Sequence, residues 1–181
     1  MGMNFRAVPS SDNQRSYNGH YMDVGRNAEE LVMSWLSKFP KVIGVEDLRS
    51  LRQMREADVD VSVSLYDGRV ALAEIKSDYH LGVSGNVLFE ILRLNHTCET
   101  SRACTLGWSA RSPATWVLFY APQVKRIYRI AFSEYRSGLQ AYTKEKDPKV
   151  IITRTDNIKT TVNILIPEHY INGMTWWNIC Q

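Results

Sequence analysis

Val59–Asp78 reads VDVSVSLYDGRVALAEIKSD. Two runs of alternating apolar residues flank Asp67-Gly68, a dipeptide suited to a tight hairpin turn. Side chains at i and i+2 on a strand share a face. Asp58 and Asp60 therefore lie opposite Val59, Val61, Val63 and Leu65, while Glu74 and Lys76 share one face of the returning strand. Folding that strand back brings Asp60 near Glu74 and Lys76. Asp60 is the preferred ligand because the hairpin's length sets it across from Glu74; Asp58 lies further back, toward substrate. Two carboxylates on one face repel unless a cation intervenes. Two acids and an ammonium on rigid strands suit a hard divalent cation and a phosphate.

This arrangement, Asp60 followed by Glu74-Ile75-Lys76 across a hairpin, resembles the core of the PD-(D/E)XK nuclease superfamily. The match spans residues 25–120. Val59 stands where the family's proline would be, a poorly kept position. The resemblance implies an α/β fold with a restriction-endonuclease-like mixed central β-sheet flanked by helices. It implies Mg²⁺ or Mn²⁺ held by Asp60, Glu74 and the Ile75 carbonyl, with Lys76 placing or activating the attacking water. Family members commonly add a glutamate from a preceding helix in a pattern like G-x-x-x-E. Here Gly25-Arg26-Asn27-Ala28-Glu29 offers Glu29. Lys76-Ser77-Asp78, a polar loop and then Gly85-Asn86 ahead of Glu90 resemble phage and bacterial members, which implies Glu90 as an additional ligand or a helper to the base. In those proteins a small-residue loop before a central strand packs beside the active site. Ser109, Arg111 and Ser112 are the phosphate-binding candidates in that loop.

Around this centre the chain has the proportions of one domain. Its 181 residues suffice for a sizeable core, and 44% hydrophobic with 23% charged residues is ordinary globular composition. The net charge of +3 is compatible with a nucleic-acid partner. Three cysteines and the lack of a signal-like apolar segment predict a reducing, cytoplasmic setting, in a host cell if the chain is phage-encoded. No apolar run reaches membrane-spanning length. Residues 1–22 are polar and are expected to be partly mobile.

Arg26 to Phe39 reads as a helix with Ala28, Val32, Trp35 and Phe39 along one stripe, stopped by Pro40. Glu29 shares the inward side. Arg49, Arg52 and Arg55, spaced by three, line one side of a helical turn. They are read as a phosphate-contacting patch or as a plain solvated face. Gly85–Glu90 is read as a strand, with a helix as the alternative, and Thr115–Tyr120 as a central strand buried on both faces. Lys125–Ile130 is a further strand whose Lys125, Arg126 and Arg129 suit backbone contacts to nucleic acid. Phe132–Tyr142 is helical, Thr143–Thr161 an exposed charged excursion, and Thr161–Ile166 a late strand. Trp176 and Trp177 are expected to dock the tail. His96, Cys98, Cys104 and Cys180 have spacing too loose for an ordinary zinc site, which favours buried or free thiols.

The expected activity is Mg²⁺-dependent hydrolysis of DNA phosphodiesters. A compact domain favours shape-selective cutting, such as at a Holliday junction, and a two-fold substrate calls for a homodimer. The alternatives are a catalytically inactive nucleic-acid-binding protein, or an interaction protein directed at a host defence enzyme.

Overall fold

The structure, a computed structural model, describes residues 27–95, 104–155 and 159–179. The segment 1–22, Gly25, Arg26, His96, Cys98 and Cys180, on which expectations were placed, lie outside these residues.

The quoted stretch forms the expected hairpin inside a six-stranded sheet. In sheet order the strands are β1 (Val42–Asp47), β2 (Val61–Leu65), β3 (Val70–Ser77), β6 (Trp116–Ala121), β7 (Arg126–Ala131) and β10 (Thr175–Asn178). β3 and β6 are parallel, and every other pair in this sheet is antiparallel. The sheet is therefore mixed and the architecture α/β. Gly68 closes the hairpin with φ of 82°, a left-handed conformation that glycine adopts without strain.

A second sheet, not anticipated from the sequence, runs β5 (Cys104–Leu106), β4 (Asn86–Asn95), β9 (Lys159–Pro167) and β8 (Val150–Thr155), all antiparallel. The expected exposed excursion at 143–161 is corrected by β8. Val150, Ile151 and Ile152 pair with Ile164, Asn163 and Val162, which turns a charged stretch into an edge strand. The helix expected over Phe132–Tyr142 continues to Glu145 as α4 (Phe132–Glu145).

Helix α1 covers 27–36 of the described residues. It ends before Phe39 because its last turn tightens: Lys38 N–H bonds the Trp35 carbonyl and Phe39 N–H the Leu36 carbonyl, each three residues back. Its buried Val32 and Leu36 pack on Val61, Val63, Ala73, Ile75, Leu118 and Ile127. The opposite sheet face packs through Val117, Phe119, Tyr128 and Ile130 against β4, β9 and α4. β6 lies between these two cores, with Val117, Leu118 and Phe119 at most 1% exposed. Each such side chain contributes roughly 1.5–3 kcal/mol by leaving water. The sheet is thus a rigid platform, with α1 on one face and the second sheet with α4 on the other.

Candidate active site

The β2–β3 ladder ends at the pair Val61↔Ala73. One residue earlier the chain leaves regular pairing. Asp60 N–H still reaches the Ala73 carbonyl at 3.0 Å, and Asp60 Oδ2 accepts the Ile75 N–H at 2.7 Å. The carboxylate thereby satisfies a ladder donor that has no backbone partner. The N–H and C=O of a strand residue point the same way, so the Ile75 carbonyl faces the Asp60 side.

The departure from the ladder corrects one expectation. Asp58 and Asp60 do not share a regular strand face, because β2 begins only at Val61 and Asp58 adopts φ of 53°. Val59 consequently packs into the core beneath the second sheet, while Val61 packs under α1. Asp58 is ion-paired with Arg111, whose Nη1 also donates to the Glu56 carbonyl at 3.1 Å.

Glu74 and Lys76 lie on the β3 face opposite Ala73 and Ile75, which pack under α1. They form an ion pair through Glu74 Oε1. Glu74 is 1% exposed, and its Oε2 is buried with no hydrogen-bond partner. Burial pushes the Glu74 carboxyl up to about 8; Lys76 opposes that shift, and the charges of Asp60 and Asp58 reinforce it. Burial pulls the Lys76 ammonium down, but attraction to Glu74, Asp60 and Asp58 outweighs it and holds the pKa above its ordinary value. Three acids thus face the ammonium and favour its charged form. Lys76 keeps a third of its side chain exposed and lies 5.2 Å from the Trp108 ring centre. The ammonium is therefore anchored at the site and still open to a substrate.

Glu90, on β4, is 6% exposed, and Arg93 holds its Oε1 through Nε at 3.1 Å and Nη2 at 2.9 Å. Trp108 N–H approaches the same oxygen at 3.5 Å. Gly107 permits this packing, since a Cβ there would collide with the Glu90 backbone. Ser109, in the short helix α3 (Trp108–Arg111), does not offer its hydroxyl to solvent. It is fully buried, and its Oγ accepts the Glu90 N–H at 3.0 Å. Ser112 is likewise buried and donates to the Asp58 carbonyl at 2.7 Å. Arg136 of α4 clamps this loop by donating to the Ser109 and Ser112 carbonyls at 3.3 and 2.6 Å. As phosphate contacts, both serines are therefore corrected to structural roles.

Glu29 projects from α1 to Arg49, whose Nη1 lies 2.7 Å from Glu29 Oε2. Arg49 also binds Asp47 at 2.6 Å, and these partners hold its pKa above its already high ordinary value. The expected three-arginine helix side is broken, because α2 is only Arg52–Glu56 and Arg49 precedes it. Arg52 makes an exposed pair with Glu56 at 2.8 Å, and Arg55 is exposed. Lys125 is exposed in the β6–β7 turn. Arg126 stacks 4.0 Å from the Trp176 ring centre, and Arg129 lies between Trp116 and Trp177 at 5.2 and 5.7 Å.

Two basic groups near the acids escaped the sequence reading. Arg93 is one. The other is Lys159 on β9, where burial and then the Arg93 charge hold the ammonium below its usual range, with Lys76 adding to the repulsion and Glu90 and Asp58 opposing it. Both come from the second sheet, and no local motif marks them.

No group of three or more His, Cys, Asp or Glu side chains among the described residues is arranged to hold a metal. The donors suited to a divalent cation are Glu74 Oε2, Asp60 and the Ile75 carbonyl. Magnesium fits such a set, since it takes one or two carboxylates and fills its remaining positions with water and substrate phosphate. The orphaned, buried Glu74 Oε2 is the observation that favours a cation there.

No protein-family model matches the chain, and no curated protein does. Among solved structures it is similar to a bacterial homing endonuclease, I-Ssp6803I, at 14% identity and a TM-score of 0.43, over 60% of this chain and 67% of that one. No helix among the described residues is long and apolar enough to cross a membrane.

Proposed function

We propose that the chain is a Mg²⁺- or Mn²⁺-dependent nuclease of the restriction-endonuclease-like kind that hydrolyses phosphodiester bonds in DNA. The observation that carries this reading is the buried, half-unpartnered Glu74 beside Asp60 and the solvent-reaching Lys76 at one end of a rigid hairpin. Glu74, Asp60 and the Ile75 carbonyl would hold the cation. When bound, it supplies charge compensation at phosphorus and a water of lowered pKa. Lys76 orients that water or contacts the scissile phosphate, and its raised pKa keeps it cationic for this task. Arg93 and Lys159 add positive charge on the second-sheet side, where an incoming phosphate is attracted. Glu29, bound to Arg49, positions that arginine rather than joining the acids.

A structure-selective endonuclease acting on branched DNA, as a homodimer in the cytoplasm, is the specific form proposed. The test is incubation with Mg²⁺ or Mn²⁺ of supercoiled, linear, single-stranded and branched DNA. Cleavage of the branched form at an excess over linear duplex is expected. Cleavage that persists in excess EDTA would refute the metal mechanism, and no cleavage of any DNA would favour a binding protein.

A further inference from the structure

On the α1 face of the six-stranded sheet, away from the acids, lies a pocket with a volume of about 620 Å³. Arg69, one of its lining residues just ahead of β3, stands five residues before Glu74, roughly 16 Å at the ~3.3 Å rise of a strand. Its walls are aromatic. Trp35, Phe39 and Trp177 pack together with ring centres 5.1–5.4 Å apart, and Trp116 lines the adjoining wall. Arg129 lies between Trp116 and Trp177, close enough to both rings for cation–π attraction.

The charges on this pocket are unequal. Arg69 is neutralised by Asp67 at 2.6 Å. Arg129 and Lys41 line the pocket with no carboxylate at ion-pair distance among the described residues. A purely apolar ligand would leave those two cations without use, and a bare anion would leave the rings without use. A planar ring joined to a phosphate satisfies both: every base offers a π-face for stacking, and guanidinium matches phosphate geometry. The volume is in the range of small-ligand sites.

We infer that this pocket binds one nucleotide unit, its base against the tryptophans and its phosphate against Arg129 and Lys41. The inference stands apart from the metal site, so its test is made in EDTA, where loss of cleavage cannot affect it. Three of the five tryptophans line the pocket, so intrinsic fluorescence of the full chain reports occupancy. The probes are dAMP, a short deoxyadenosine oligonucleotide, deoxyadenosine and inorganic phosphate.

Saturable quenching by dAMP and by the oligonucleotide is expected. Deoxyadenosine and phosphate alone should bind each at least about 10-fold more weakly, since stacking and charge act together. Trp116→Leu should weaken dAMP binding about 5- to 150-fold, the range for losing one stacking platform, and Trp116→Phe should restore most of it. Arg129→Gln should weaken dAMP while leaving deoxyadenosine unchanged, a pattern that misfolding would not produce. Equal affinity for dAMP and oligonucleotide identifies a free nucleotide as the ligand, and preference for the oligonucleotide identifies a strand; both support the pocket. Quenching that is absent for every probe, indifferent to Trp116→Leu and Arg129→Gln, or dependent only on protein concentration overturns it, the last by showing self-association at this face.

Discussion

The Ile75 N–H donates to Asp60 Oδ2 at 2.7 Å where the β2–β3 ladder runs out. One carboxylate thus closes the sheet edge and remains available, through its other oxygen, to a cation. The two roles separate by substitution. Asp60→Asn keeps an acceptor for Ile75 and should fold with near-native stability while losing metal-dependent cleavage. Asp60→Ala loses both, and leaving that N–H unpaired costs about 1–3 kcal/mol. Urea unfolding of the two variants checks this; equal midpoints would show that the hydrogen bond contributes nothing.

Lys76 is the residue whose removal isolates the chemistry. Lys76→Met keeps the aliphatic stem and deletes the ammonium, which lies 5.2 Å from the Trp108 ring centre. Burial already holds the Glu74 carboxyl up at about 8, so without its partner it stays neutral at neutral pH and the fold survives. Turnover at saturating DNA should fall on the order of 10²-fold or more, the scale of losing one preorganised electrostatic group. Single-turnover cleavage with and without Mg²⁺ measures it. A wild-type rate would make Lys76 an ordinary surface lysine.

Glu74 makes metal-free stability depend on pH in an unusual direction. Its folded pKa, near 8, lies above its ordinary value of 4.5 because burial disfavours the carboxylate. Between those pH values the folded protein keeps a proton that the unfolded chain has released. The contribution of Glu74 to stability should therefore be full below about pH 4.5 and decline as pH rises toward 8. Lys76, raised above 10.5, stays charged throughout that window. Thermal melts in EDTA should show a downward slope that Glu74→Gln removes and that added Mg²⁺ flattens. A flat EDTA profile for the unaltered chain contradicts a buried, proton-holding Glu74.

The three arginines near α2 should behave differently in DNA binding. Arg52 and Arg55 are exposed, and the Arg52–Glu56 pair is weak enough to yield to a phosphate. Arg52→Ala and Arg55→Ala should each reduce the slope of log affinity against log salt by about 1. Arg49 is committed to Glu29 and Asp47, so Arg49→Ala should lower the melting temperature and leave the slope unchanged. Fluorescence-anisotropy titrations with catalytically silent protein in Ca²⁺ decide between these outcomes.

The sequence alone determined the hairpin, the common face of Glu74 and Lys76, the buried β6 strand and the amphipathic α1. Each is written in local periodicity, because the strand pleat alternates side chains every residue and the helix gathers them every three or four. Asp67-Gly68 marked the turn because glycine alone takes its left-handed conformation without strain. Local periodicity did not reveal β1, whose residues are half-exposed, or β8, whose apolar core of three residues is embedded among charges. Both are defined by a partner strand, β2 in one case and β9 in the other. Only the tertiary structure decided that Asp58 turns to Arg111, that Ser109 is buried under Glu90, and that Arg93 and Lys159 stand near the acids. The reason is physical. Charge and hydrogen bonding act through space, and the packing of one sheet on another sets distances that no spacing along the chain encodes. The same holds in part for Lys76: Glu74 is its neighbour two residues along β3, but Asp60 and Asp58, from the segment ahead of β2, reach it only through the fold, and together the three carboxylates raise its pKa.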